Sequence, residues 1–214
     1  MADDKISSDL VENLWRSRWT MLQVLADRKY PIPDDAHLTY DEFVEWVGED
    51  DEETVREAMT LVYEKDSAKA PDKIMVIWPN SPKLGTNMRD VYARMQEQEC
   101  TRAIVIVDHS VTHWAKSILR GLKQKKVHVD TYVLAESLFN VMEHRLVPKH
   151  TICSAVEKKR VMSAYAVGAN ELPHIRTTDP VVRHLGAARG QLLKITRDSV
   201  TQSGQDSVTY RLVV

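Results

Sequence analysis

Cysteine is nearly absent from this chain, with Cys100 and Cys153 the two in 214 residues. Two thiols in separate segments make no disulfide framework, so the fold must rest on a buried core, and a reducing compartment is expected. Long apolar runs are missing as well. The longest, "IMVIW" (74–78) and "AIVIV" (103–107), fall far short of the ~18–20 residues that a membrane span needs. The opening "MADDKISSDL" is acidic and polar, so no secretory leader is expected and no membrane partner. Glycine-rich phosphate loops are missing too. "GAARG" (186–190) lacks the three spaced glycines of a dinucleotide site and the Gly-Lys-Ser/Thr of a Walker loop.

What is there is an ordinary globular composition, 43% hydrophobic and 28% charged, long enough to bury a real core in one large domain or two small ones. The net charge of −2 hides an asymmetry: residues 1–70 carry a balance of −10 and residues 71–214 a balance of +8. The halves are therefore expected to face different surroundings. A basic balance fits a protein partner as well as nucleic acid.

The first 70 residues read as helical. Asp9 and Glu12 have capping-box spacing, and Val11, Leu14, Trp15, Leu22 and Leu25 follow the helical period until Pro31 and Pro33 end it. Thr39 and Glu42 open a second helix with Phe43, Trp46 and Val47 inside. The charge run "GEDDEE" (48–53) leads a third, "TVREAMTLVYEK", where acids suit the helix N-terminal dipole.

From 71 the pattern alternates. "KIMVIW", "RAIVIV" and "VHVDTYVL" are strand candidates. "TNMRDVYARMQEQE", with Met88, Val91, Tyr92 and Met95 on one face, "SVTHWAKSILRGLK" and "AESLFNVMEHR" are the helices between and after them. That order predicts α/β units on a small, mainly parallel sheet. After "LVPKH" (146–150) the alternation stops. Ser154 and Glu157 cap a helix that Gly168 is placed to end. Asp179 caps a short helix with Pro180 in its first turn and Gly186 as its stop, and Gly190 turns into the strand "GQLLKITRDS". A turn around Gly204 returns as "SVTYRLVV". The expected division is 1–143, an α/β domain, and 144–214, a small α+β domain.

Candidate chemistry is thin. His109 and His113 at i, i+4 put two imidazoles on one helical face, yet no HExxH glutamate, cysteine pair or third ligand accompanies them. Cys153 follows His150 by three residues without an orienting third group. Asp108 and Asp130 are the carboxylates placed at strand ends for a nuclease-like site. No catalytic residue, metal, cofactor or small-molecule substrate is expected from this pattern. A basic rim of Lys83, Lys116, Arg120 and "KQKK" (123–126) fits either a solvated face or a phosphate contact that carries no base reading.

"LVPKH", "ELPHIRTTDPVVRHLGAARGQLLKITR" and the terminal "TYRLVV", taken in that order, resemble the C-terminal domain of the fifth subunit of eukaryotic nuclear DNA-directed RNA polymerases. That domain is similar to one of the small subunits of archaeal RNA polymerase. "LWRSRWTMLQVLADRKY" (14–30) resembles the opening helix of the same eukaryotic protein. The resemblance implies a non-catalytic subunit of two domains. The C-terminal one would be an assembly module that docks on the largest polymerase subunit. The N-terminal one would form part of the lower jaw near downstream duplex DNA during transcription. It also implies contact with other polymerase subunits and a nuclear location, nucleolar if the chain is dedicated to ribosomal RNA synthesis.

On the assembly module the expected docking residues are His150, Arg176, Asp179, Pro180, Arg183, Arg189 and Lys194. The arginines would pair with acidic partner groups or within their own module. On the jaw the expected DNA-proximal residues are Pro82 and Lys83 in "SPKLGTNM", and Thr112, His113 and Lys116 in "THWAK". Three positions depart from the family pattern. His174 stands where an arginine is usual, Ala187 and Ala188 replace Leu-Lys, and His113 replaces a proline. The alternative is a stand-alone nucleic-acid-binding protein with a basic C-terminal module.

Overall fold

In the computed structural model the described residues are 6–65, 72–80, 84–109, 111–124, 127–168, 171–197 and 207–214. The chain divides into two compact units, Met1–Phe139 and Asn140–Val214. The division falls four residues before the expected 143. The short 3-10 turn at Val141–Glu143 packs beside the helix Pro180–Leu185 and so goes with the second unit.

The first unit opens with α1 (Ser8–Asp27), α2 (Tyr40–Val47) and α3 (Glu52–Ala58). The cap of α1 is Ser7, whose Oγ accepts from the Leu10 N–H at 3.3 Å; Asp9 sits in the first turn instead. Thr39 and Glu42 form the expected reciprocal box on α2. Trp46, expected inside, is exposed, while Phe43 and Val47 are buried. Asp51 caps α3 through Thr54 N–H at 2.9 Å.

The third helix is half the expected length. "LVYEK" is a strand, β1 (Leu61–Lys65), antiparallel to β2 (Asp72–Ile77). Leu61 and Tyr63 face one side of the sheet and Val62 the other, a period of two that the helical spacing of Val55, Met59 and Val62 disguised.

The sheet continues through α4 (Leu84–Glu97), β3 (Arg102–Val107), α5 (His113–Gln124) and β4 (His128–Val133), in the order β1-β2-β3-β4. β2, β3 and β4 are parallel. The near-continuous apolar runs of β2 and β3 have a cause in the layering, since both faces are covered, whereas β4 at the edge of the sheet is mostly half-buried. Ile74, Val76, Trp78, Ile104 and Ile106 pack toward α1. Met75, Ile77, Ala103, Val105 and Val107 pack toward Met88, Val91 and Met95 of α4 and Ala115 and Leu122 of α5.

"AESLFNVMEHR" is not a helix but two 3-10 turns, Leu134–Ser137 and Val141–Glu143. Side chains there bond the backbone in place of helical partners. Ser137 Oγ donates to Leu134 O at 2.7 Å, and Asn140 Oδ1 accepts from Met142 N–H at 2.9 Å.

The second unit is α+β. "LVPKH" leads into a strand that the periodicity did not mark, β5 (Lys149–Ile152). It is followed by α6 (Ala155–Tyr165), β6 (His174–Ile175), α7 (Pro180–Leu185), β7 (Leu192–Arg197) and β8 (Ser207–Val213). The sheet order is β5-β7-β8-β6, antiparallel except for β6 with β8. Ser154 caps α6 as expected, but the helix ends on Ala166 in the left-handed conformation (φ 52°) rather than on Gly168. α6 covers Cys153, Leu192 and Leu212, and α7 covers Ile175, Leu193 and Val213. No helix among the described residues is long and apolar enough to cross a membrane.

Candidate functional site

The stretch 175–197 is built as its capping chemistry dictates. Asp179 Oδ1 accepts from Val181 N–H at 2.9 Å, Pro180 occupies the first turn of α7, and Gly186 ends it at φ 63°, ψ 31°. Gly190, at φ 87°, turns into β7. Its N–H donates to Val213 O at 2.8 Å, and its own carbonyl accepts from Lys158 Nζ at 2.7 Å. The turn is thus pinned from both the sheet and α6. That frame leaves Arg176, Pro180 and Arg189 exposed, with Arg183 half-buried on α7. Arg176 and Arg189 have no ion-pair partner among the described residues.

Two of the expected docking residues lie elsewhere. His150 is buried, with its Nδ1 2.6 Å from Pro148 O, so its ring is spent on its own strand. Lys194 alternates with Leu193, which faces α7, so Lys194 points to the opposite side of the sheet. There it lines an open groove with Arg145, Lys149 and Arg197, none of which the sequence singled out. The signal that unites them is register: Lys149 pairs with Thr196 and Thr151 with Lys194, which is invisible until the strands are paired.

On the first unit, Thr112, His113 and Lys116 come together on the first turn of α5. Thr112 Oγ1 accepts from Ala115 N–H at 3.3 Å, and Thr112 O from Lys116 N–H at 3.0 Å. His113 and Lys116 are exposed. Pro82 and Lys83 lie outside the described residues, as do Lys125, Lys126 and Gly204. Sequence reasoning missed Trp114, which is 64% exposed in the first turn of α5. A signal was available: no Asp or Glu occurs between Asp108 and Asp130. His109 precedes the helix that His113 starts, so the two histidines do not share a helical face.

The remaining candidates are occupied. Asp108 Oδ1 accepts from Arg56 Nη2 at 2.8 Å, and Arg56, 2% exposed, also donates from Nε to Glu52 at 2.7 Å. Asp130 Oδ2 accepts from buried Arg28 at 2.9 Å. Asp130 sits level with Ile104, four residues along β3 from Asp108, so the pair does not converge on one metal. Cys153 is buried against α6, and burial, then the nearby Glu157 carboxylate, push its thiol up to about 11. It stays protonated at neutral pH, and alternation along β5 turns it to the face opposite His150.

The description "RNA polymerase Rpb5, N-terminal domain" matches residues 8–95, and "RNA polymerase Rpb5, C-terminal domain" matches residues 139–213. The chain is 33% identical over 218 residues to DNA-directed RNA polymerases I, II, and III subunit RPABC1 of Caenorhabditis briggsae, covering 100% of both chains. It is 34% identical over 207 residues to the Dictyostelium discoideum protein of the same description, covering 95% of this chain and 98% of that one. It is 33% identical over 209 residues to DNA-directed RNA polymerase subunit 5-like protein 1 of Arabidopsis thaliana, covering 96% and 98%.

Proposed function

This chain belongs to the RNA polymerase Rpb5 family, and from that membership we propose that it is a non-catalytic structural subunit of a nuclear DNA-directed RNA polymerase. The observation that carries the reading is the coincidence of two independent divisions. The C-terminal family match begins at residue 139, and the second compact unit begins at Asn140.

In this reading the C-terminal unit docks on the largest polymerase subunit. The exposed Arg176 and Arg189, held by the α7 caps and the Gly190 turn, support a surface that meets acidic partner groups. The N-terminal unit contributes to the lower jaw. The first turn of α5, with Thr112, His113 and Lys116 in a run free of acids from 109 to 129, supports a contact with downstream duplex DNA that positions without reading bases. The contribution to RNA synthesis is architectural. Asp108, Asp130 and Cys153 are each committed to structural roles, which supports chemistry being carried by other subunits. The working location is the nucleus, and the nucleolus if the chain serves ribosomal RNA synthesis.

The test is affinity purification of the tagged chain at moderate salt, with identification of the proteins that accompany it. Recovery with two very large polymerase subunits is expected. Recovery of the chain alone, from an extract in which polymerase is intact, would overturn the reading in favour of a stand-alone nucleic-acid-binding protein.

A further inference from the structure

We infer that the groove across β5 and β7 is a docking channel for an extended, acidic peptide segment of a neighbouring polymerase subunit. The inference rests on the proposed subunit role and adds to it the surface and the chemistry of the partner.

Four cations, Arg145, Lys149, Lys194 and Arg197, line this groove, and no carboxylate does among the described residues. The strand register arranges its floor. Lys149 lies opposite Thr196, and Thr151 opposite Lys194, so lysines and threonines alternate diagonally on one face. Along β7 that same face runs from Leu192, buried under α6, to Lys194 and Thr196, half-buried at the open end. None of the four charged side chains has a hydrogen bond or ion pair with a described residue. Four like charges gathered in one concavity repel one another, and a polyanion removes that repulsion.

The chemistry favours peptide over nucleic acid. No aromatic side chain lines the groove, so it offers no platform on which bases stack. One wall is aliphatic instead, with Leu146, 76% exposed, followed by Val147 and Pro148. A segment that alternates acidic and aliphatic side chains matches both wall and floor. β5 is also the outermost strand of its sheet. Cys153 N–H donates inward to Leu192 O, so the neighbouring peptide groups of Ile152 point outward, where an extended segment can pair with them.

The test places a photoreactive amino acid at Thr196 of the full chain, purifies the assembled polymerase and irradiates it. The expected adduct is with a stretch of a polymerase subunit in which Asp and Glu outnumber Lys and Arg. An adduct with nucleic acid, an adduct with a neutral or basic stretch, or no adduct from a chain that has entered polymerase overturns the inference and leaves the subunit role standing. A chain absent from polymerase overturns both. A second readout uses the double variant Lys149→Glu/Lys194→Glu, checked for folding by circular dichroism. Its affinity for polymerase is expected to fall about tenfold or more, with release at lower salt. The control Lys159→Glu, on the exposed side of α6, leaves release unchanged. Equal release of the two variants contradicts the inference.

Discussion

The indole Nε1 of Trp78 donates to Ser17 Oγ at 2.8 Å inside the N-terminal unit. Ser137 Oγ, whose own proton goes to Leu134 O, lies 2.7 Å from the same hydroxyl and accepts its proton, so Ser17 ties the end of β2, the middle of α1 and the turn after β4. Trp78 and both serines are buried. Replacing Ser17 by Ala strands the buried indole N–H of Trp78 and takes a partner from the Ser137 hydroxyl. The expected loss is about 1–3 kcal/mol of unfolding free energy, since each orphaned polar group keeps its desolvation penalty. Denaturant unfolding followed by tryptophan fluorescence measures it. A loss indistinguishable from zero contradicts the network.

Two helix ends in the C-terminal unit make opposite predictions. Gly186 adopts the left-handed conformation without strain, and Ala166 adopts it with a Cβ in the way. Gly186→Ala is expected to destabilise by about 1 kcal/mol and Ala166→Gly to stabilise by up to a similar amount. Thermal unfolding of the two variants beside the parent chain tests the signs, and the same sign for both refutes the account.

The buried thiol of Cys153 predicts a pH response. Its folded value is raised, to about 11, so the unfolded chain ionises first as pH rises. Its stabilising contribution is complete below the ordinary thiol range and fades as pH climbs through that range toward 11. Alkylation by iodoacetamide at mildly alkaline pH is therefore slow in the native chain and fast in denaturant. Cys100, also buried and raised by burial, follows the same pattern. Rapid native labelling at Cys153 contradicts the packing under α6.

How much of this was legible beforehand differs by element. Caps and turns were, because their chemistry is local: Thr39 with Glu42, Ser154, Asp179-Pro180 and Gly186 each act within a few residues. β2 and β3 were legible because a strand covered on both faces is apolar nearly throughout. β1 and β5 were not, since five and four residues carry too little periodicity, and their pairing with β2 and β7 supplies the stabilisation. The docking surface was half-legible. Composition placed basic residues in the stretch 175–197, but strand alternation decides that Lys194 lies on the face opposite Leu193 and α7, and composition contains no alternation. Trp114 went unremarked because helical spacing alone does not say which face of α5 meets Ala115's core.

The jaw proposal predicts a salt signature. Lys116→Glu, on the exposed first turn of α5, is expected to weaken binding of assembled polymerase to duplex DNA by a similar factor across sequences. The slope of log Kobs against log salt should shrink by about one. A sequence-dependent loss, or an unchanged slope, counts against a phosphate contact at this lysine.

The most direct measurement for the central claim is sedimentation of a native extract through a glycerol gradient, with this chain followed by immunoblot and RNA synthesis assayed in every fraction. The account predicts that the chain travels with the RNA-synthesising activity, far ahead of a free 24.5 kDa protein. A chain that stays at the position of a 24.5 kDa monomer, while the activity sediments without it, contradicts the account.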